Sequence, residues 1–131
     1  MQITENFNVK EFECNCGCEM PDDVYLNILS LADQLQVLRD ALNTPIHLTN
    51  AYRCVTKNKA IGGVKNSQHL LGNAADIQVE GVDPRDLYNT IRTFIEEGIM
   101  TEGGLGLYKN FVHYDIRGTK ARWDNSSLFN F

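Results

Sequence analysis

Apolar residues in this chain switch between two spacings, and the switches limit what it can fold into. Val24, Ile28, Leu31, Leu35, Leu38 and Leu42 recur at alternating intervals of four and three, which puts them on one stripe of a core-facing helix. Pro21 followed by Asp22 and Asp23 suits its start, because proline fits the first turn and acids complement a helix N-terminus. Asn43-Thr44-Pro45 suits its end. Ala75, Ile77 and Val79 then alternate with Asp76, Gln78 and Glu80, a period of two that predicts a half-buried strand with Asp76 opposite Ile77. The longer interval returns at Leu87, Ile91, Phe94 and Ile95, between an Asp83-Pro84 start and Gly98, and predicts a second helix.

Shorter signals fill the gaps. Ile46 to Tyr52 is rich in β-formers and predicts a strand, and the polar stretch around Gly62-Gly63 predicts a loop with one helical turn. Gly104 to Tyr108 and Phe111 to Arg117 predict a closing hairpin about Lys109-Asn110. On its second strand Val112, Tyr114 and Ile116 share one face, and Phe111, His113, Asp115 and Arg117 share the other. The tail after Trp123 is polar and predicts a loop. Elements in this order predict one small α+β domain over residues 1–131, with a mostly antiparallel sheet and flanking helices, rather than a doubly wound parallel sheet.

Composition narrows the function. The 43% hydrophobic content suits one packed core in 131 residues. A net charge of -5 and a pI near 5.1 provide no positive field for phosphates, which argues against a nucleic-acid partner. The start lacks a basic region followed by an apolar run, and no apolar stretch could span a bilayer, so the expectation is no export signal, no membrane insertion and a chain cytoplasmic as synthesised. Four cysteines, Cys14, Cys16, Cys18 and Cys54, lack the paired C-x-x-C units of a zinc ribbon. Reduced, partly buried thiols are the plainer reading, and a second, structural metal at these four is the alternative.

No phosphate-cradling loop and no HExxH helix is present, and the three histidines are scattered, so a hydrolytic site must be assembled from separate segments. Ser67-Gln68-His69-Leu70-Leu71-Gly72-Asn73-Ala74-Ala75-Asp76 puts a histidine on a glycine-flanked loop and an aspartate in the strand that follows. His113 lies on another strand, with Asp115 on the same face. Two imidazoles and one carboxylate make a normal ligand set for catalytic zinc, with a fourth position left for water. Gly72, Ala74 and Ala75 would let backbone approach such a centre closely. His47, in a strand without an acidic neighbour, reads as structural.

The pattern S-x-H-x-x-G-x-A-x-D, followed by an F-V-H-x-D strand, resembles the zinc D-Ala-D-Ala carboxypeptidase and L-alanyl-D-glutamate endopeptidase family of peptidoglycan peptidases, whose fold is hedgehog-like. Thr49-Asn50-Ala51-Tyr52-Arg53-Cys54, Gly103-Gly104-Leu105-Gly106-Leu107-Tyr108 and Ala121-Arg122-Trp123 extend the resemblance over nearly the whole chain. It implies that His69, Asp76 and His113 bind one catalytic Zn2+. It implies also that Arg53 binds substrate or the oxyanion, for which a guanidinium fork is suited, and that Ser67 helps bind substrate, although a hydroxyl fixing its own loop would look the same.

Relatives typically carry a carboxylate base three residues before the last histidine, where this chain has Asn110, which cannot accept a proton. Asp115 is the replacement candidate, and holding the His113 imidazole in one tautomer is its other role. The implied reaction is metal-assisted hydrolysis of an amide bond in a peptidoglycan stem peptide, either D-Ala-D-Ala or L-Ala-D-Glu. A zinc-containing wall-peptide binding module is the rival reading. A phage or prophage endolysin, released to the wall through a separate holin, would reconcile a missing export signal with an external substrate; a tail-associated role or turnover of wall peptides fits as well.

Overall fold

A computed structural model describes residues 1–127. Helix α1 runs over Asp22–Leu42 and buries Val24, Ile28, Leu31, Leu35 and Leu38 together with Ala32. It stops at Asn43, whose left-handed φ of 48° turns the chain while its N–H bonds back to the carbonyl of Arg39. Helix α3, Pro84–Glu96, is capped by the Asp83 carboxylate accepting from the Arg85 N–H and buries Leu87, Ile91 and Ile95. Between them lie β1 (Ile46–Asn50), the short helix α2 (Val55–Ala60), a 3-10 turn at Gln68–Leu71 and β2 (Ala74–Val79). Strands β3 (Gly104–Leu107), β4 (Val112–Asp115) and β5 (Ala121–Asp124) follow α3. Among the described residues no helix is long and apolar enough to cross a membrane.

The strands form one sheet in the order β1-β2-β4-β3-β5. Its pairs are antiparallel except β3 with β5, which run parallel. One face meets the helices: Ile77, Leu105 and Val112 join Ile28, Leu31 and Leu35 of α1 and Leu87 and Ile91 of α3 in a single buried cluster. Each such side chain contributes about 1.5–3 kcal/mol by leaving water. The other face is polar and carries the site.

Four expectations change. Strand β2 is buried on both faces over Ala74, Ala75, Asp76 and Ile77 rather than half-buried, because it lies inside the sheet and the loop bearing His69 covers its polar side. The polar stretch after Cys54 holds both α2 and the 3-10 turn instead of one helical turn. The loop predicted after Trp123 begins one residue later than expected, because Ala121–Asp124 forms β5, a half-exposed edge strand whose alternation of Ala121 and Trp123 with Arg122 and Asp124 is too short to stand out in sequence. The part of that expectation falling on 128–131 lies outside the described residues. Strand β1 also stops at Asn50, after an irregularity between Leu48 and Asn50. The chain there turns so that the Tyr52 N–H reaches the Phe12 carbonyl and the Arg53 N–H reaches that of His69.

Register lines up the polar face. Asp76 on β2 opposes His113 on β4, His113 opposes Gly106 on β3, and Gly106 opposes Trp123 on β5. In Gly104-Leu105-Gly106-Leu107 the leucines face the core, and the glycines leave the polar side of β3 without side chains. A Cβ at Gly106 would collide with the Trp123 indole, and one at Gly104 with the Asp115 carboxylate and with Arg117 Nη2. Gly106→Ala is therefore expected to destabilise the protein by about 1–3 kcal/mol, the usual cost of overpacking. A denaturant midpoint equal to that of the parent chain would show that the indole moves aside freely.

Candidate functional site

His69, Asp76 and His113 come from three elements and meet at one point. His69 sits in the 3-10 turn behind Ser67, whose Oγ caps the turn by accepting from the His69 N–H at 3.2 Å. Gly72 ends the turn at φ 77°, where a Cβ would strike Val24, so the reversal into β2 favours glycine. Asp76 and His113 are cross-strand neighbours on β2 and β4. Asp76 Oδ1 lies 3.3 Å from both His69 Nε2 and His113 Nδ1, and one ligand atom from each of the three residues falls within 4.8 Å of the others.

The far side of each imidazole fixes its tautomer. His69 Nδ1 is 2.7 Å from the Ala51 carbonyl oxygen, which can only accept, so the proton is on Nδ1. His113 Nε2 is 2.7 Å from Asp115 Oδ2, and an ionised carboxylate likewise only accepts. Neutral imidazoles therefore turn His69 Nε2 and His113 Nδ1 toward Asp76 as lone pairs. Three acceptors aimed at one point call for a cation, and two nitrogens with one carboxylate oxygen suit zinc. Without a metal, a proton can take that place. Burial opposes charge on His113, but hydrogen bonds to Asp115 and Asp76 outweigh it and raise its pKa. Burial also opposes ionisation of Asp76, yet its hydrogen bonds with His113 and His69 hold the carboxyl well below the usual range. Asn50 Nδ2 donates to the second Asp76 oxygen at 3.4 Å.

Asp115 is fully buried. Its Oδ1 accepts from the Gly104 N–H at 2.8 Å, the Arg117 N–H at 3.1 Å and Arg117 Nε at 2.9 Å. Its Oδ2 accepts from Arg117 Nη2 and His113 Nε2, both at 2.7 Å. Burial works against its charge, but His113 and Arg117 prevail and keep its pKa well below the ordinary range. Arg117 lies 5.7 Å from the centre of the Trp123 ring. That ring stands 5.0 Å from the His113 imidazole and donates its N–H to the Tyr108 hydroxyl at 3.0 Å.

The cluster of His69, Asp76 and His113 opens onto a cleft of about 910 Å³ lined by Arg53, Ser67, Tyr108, Asn110, Phe111 and Trp123 among others. Arg53 is 9% exposed; its Nη2 donates to Ser67 Oγ at 3.1 Å, while its buried Nε has no hydrogen-bond partner among the described residues. Burial lowers its pKa, against which Asp76 acts to preserve the charge. Asn110 reaches the cleft, and its carbonyl accepts from Gln78. His47 is exposed on β1 beside a separate hollow of about 360 Å³.

All six residues singled out in sequence, Arg53, Ser67, His69, Asp76, His113 and Asp115, thus gather around one centre, with Asp115 behind His113 rather than at the cleft. Asn50 and the Ala51 carbonyl fall within the stretch 49–54, but its pattern does not single them out as partners of Asp76 and His69. Arg117 could have been found, because the period of two puts it on the face of His113 and Asp115.

Comparison with known proteins agrees with this geometry. The sequence model of one family, peptidase M15, matches residues 4–115. Over 52 residues the chain is 40% identical to the zinc D-Ala-D-Ala carboxypeptidase of Streptomyces albus G, a match covering 39% of this chain and 20% of that protein. The similarity therefore spans about a fifth of the relative's own length.

Proposed function

The chain belongs to the peptidase M15 family, and from that premise we propose that it is a zinc peptidase hydrolysing an amide bond in peptidoglycan stem peptides. The bond is that of a D-Ala-D-Ala carboxypeptidase or an L-Ala-D-Glu endopeptidase. The observation that carries the reading is the convergence of His69 Nε2, His113 Nδ1 and Asp76 Oδ1 beside a buried guanidinium that keeps a donor unused.

His69, Asp76 and His113 would hold the ion. Zinc bound there would supply a Lewis acid able to acidify water and polarise a carbonyl. The chain's own groups do the rest. Arg53 lines the cleft, and its guanidinium fork is suited to a substrate carboxylate or to the charge that develops on the attacked carbonyl oxygen. Ser67 holds both the Arg53 fork and the His69 backbone, which supports a positioning role as well as one in binding. Asp115, saturated by donors and sealed from the cleft, supports the second of its two roles: it holds the Nε2 proton of His113 so that Nδ1 stays a lone pair. Tyr108, Phe111 and Trp123 form an aromatic wall against which a peptide can lie. An endolysin reaching the wall through a holin remains our proposal for its setting.

Incubation of zinc-loaded protein with purified muropeptides, followed by mass spectrometry, tests the reading. Loss of alanine from the stem end identifies the carboxypeptidase, and separation between L-Ala and D-Glu identifies the endopeptidase. Saturable binding without products would replace the enzyme by a binding module, the reading that Asn110 favours.

A further inference from the structure

Among the described residues, one other cluster of metal-ligating side chains outside this cleft is assembled with comparable closeness. Cys14, Cys16 and Cys18 lie in the segment between the 3-10 turn Val9–Phe12 and α1, and Cys54 is the N-cap residue of α2. Their four sulfurs fall within 4.8 Å of one another. We propose that these four cysteines bind a second zinc ion, structural rather than catalytic, that fastens the N-terminal segment to the loop carrying Arg53.

The geometry is that of a common centre. Cys14 Sγ is 3.2 Å from Cys16 Sγ and 3.8 Å from Cys54 Sγ, and Cys16 Sγ is 3.5 Å from Cys54 Sγ. Tetrahedral zinc with Zn–S bonds of about 2.3 Å holds its sulfurs about 3.8 Å apart. Disulfides would sort the sulfurs into pairs, whereas here Cys14, Cys16 and Cys54 each face the other two. Gly17 provides the reversal that returns Cys18 to the cluster: its φ is 81°, and its N–H bonds to the Cys14 carbonyl at 3.0 Å.

Backbone donors are aimed at the sulfurs. The Cys54 N–H points to Cys14 Sγ at 3.5 Å, and the Lys57 N–H to Cys54 Sγ at 3.4 Å. Such bonds favour thiolates, and several thiolates in one place need a cation to balance them. Soft sulfur ligands select zinc over magnesium or calcium, and four protein ligands leave no open position for chemistry. Cys54 adjoins Arg53, and the Tyr52 N–H bonds to the Phe12 carbonyl at 3.0 Å. The ion would thus close a loop whose other backbone ties already run to the site. The spacing C-x-C-x-C with a distant fourth cysteine conceals this in sequence, because it lacks the C-x-x-C pairs of a zinc ribbon.

The test is the metal content of reduced, zinc-loaded protein. Two ions per chain are expected for the parent, one for the double variant His69→Ala/His113→Ala, and one for Cys16→Ser/Cys18→Ser. Cobalt in the histidine double variant should give a near-ultraviolet sulfur-to-cobalt charge-transfer band, a readout that needs no cysteine variant to fold. One ion in the parent and none in the histidine variant would overturn the proposal. So would absence of the cobalt band, or disulfides in protein isolated without oxidant. Because the histidine variant reads the cysteines alone, failure of the peptidase reading would leave this result unchanged.

Discussion

Asp76→Ala is expected to abolish zinc binding between the two histidines and, with it, peptide hydrolysis. Asp76 Oδ1 is the atom that His69 Nε2 and His113 Nδ1 share, 3.3 Å from each. Without it the site keeps two neutral nitrogens and loses its negative charge, too little to hold a divalent ion against water. Asp115→Asn should be milder. It preserves the three ligands and weakens the hold on His113, and loss of such an outer partner typically costs about 10–100-fold in metal affinity or activity. Zinc titration beside muropeptide release, on variants whose circular dichroism matches the parent, measures both. Retention of zinc at this site by Asp76→Ala would remove the assigned ligand set. Equal losses in both variants would place Asp115 at the chemistry instead of behind it.

Arg53→Ala is expected to reduce kcat/KM by about 10²–10³-fold, the cost of removing one donor to a developing oxyanion. The zinc content should not change, because Arg53 touches Ser67 and not a ligand side chain. The size of the effect follows from the place of the guanidinium, a buried cation that lines the cleft beside Asp76. Arg53→Lys should recover little, since an ammonium cannot reproduce the fork. A loss confined to KM would assign Arg53 to a substrate carboxylate, and one confined to kcat to the oxyanion. Unchanged kinetics would leave it a structural cation beneath Ser67.

Much of this was legible in the sequence where a pattern has one physical cause. The stripe from Val24 to Leu38 specifies a helix because burial of one face requires that spacing, and the alternation from Ala75 to Glu80 specifies a strand for the corresponding reason. The positions of His69, Asp76 and His113 follow from a loop, a strand and a cross-strand neighbour. What stayed hidden depends on register and on backbone groups. No motif announces that the Ala51 carbonyl holds His69, that Asn50 reaches Asp76, or that Gly106 stands between His113 and Trp123. The burial of Asp76 also escaped the period-of-two argument, which assigns polar residues to solvent and has no knowledge of a covering loop. Strand β5 escaped it too, because its four residues are too few for the alternation of Ala121 and Trp123 with Arg122 and Asp124 to stand out.

The bare lane along β3 has a consequence for how the protein can diversify. The family match ends at residue 115, whereas β5 begins at Ala121 and its Trp123 comes to within 5.0 Å of the His113 ring across Gly106. One wall residue, Trp123, is therefore encoded on a strand that carries none of His69, Asp76 and His113. Substitutions in the final strand can reshape what the imidazole sees while His69, Asp76 and His113 stay in place, and selectivity can drift without dismantling the site it serves.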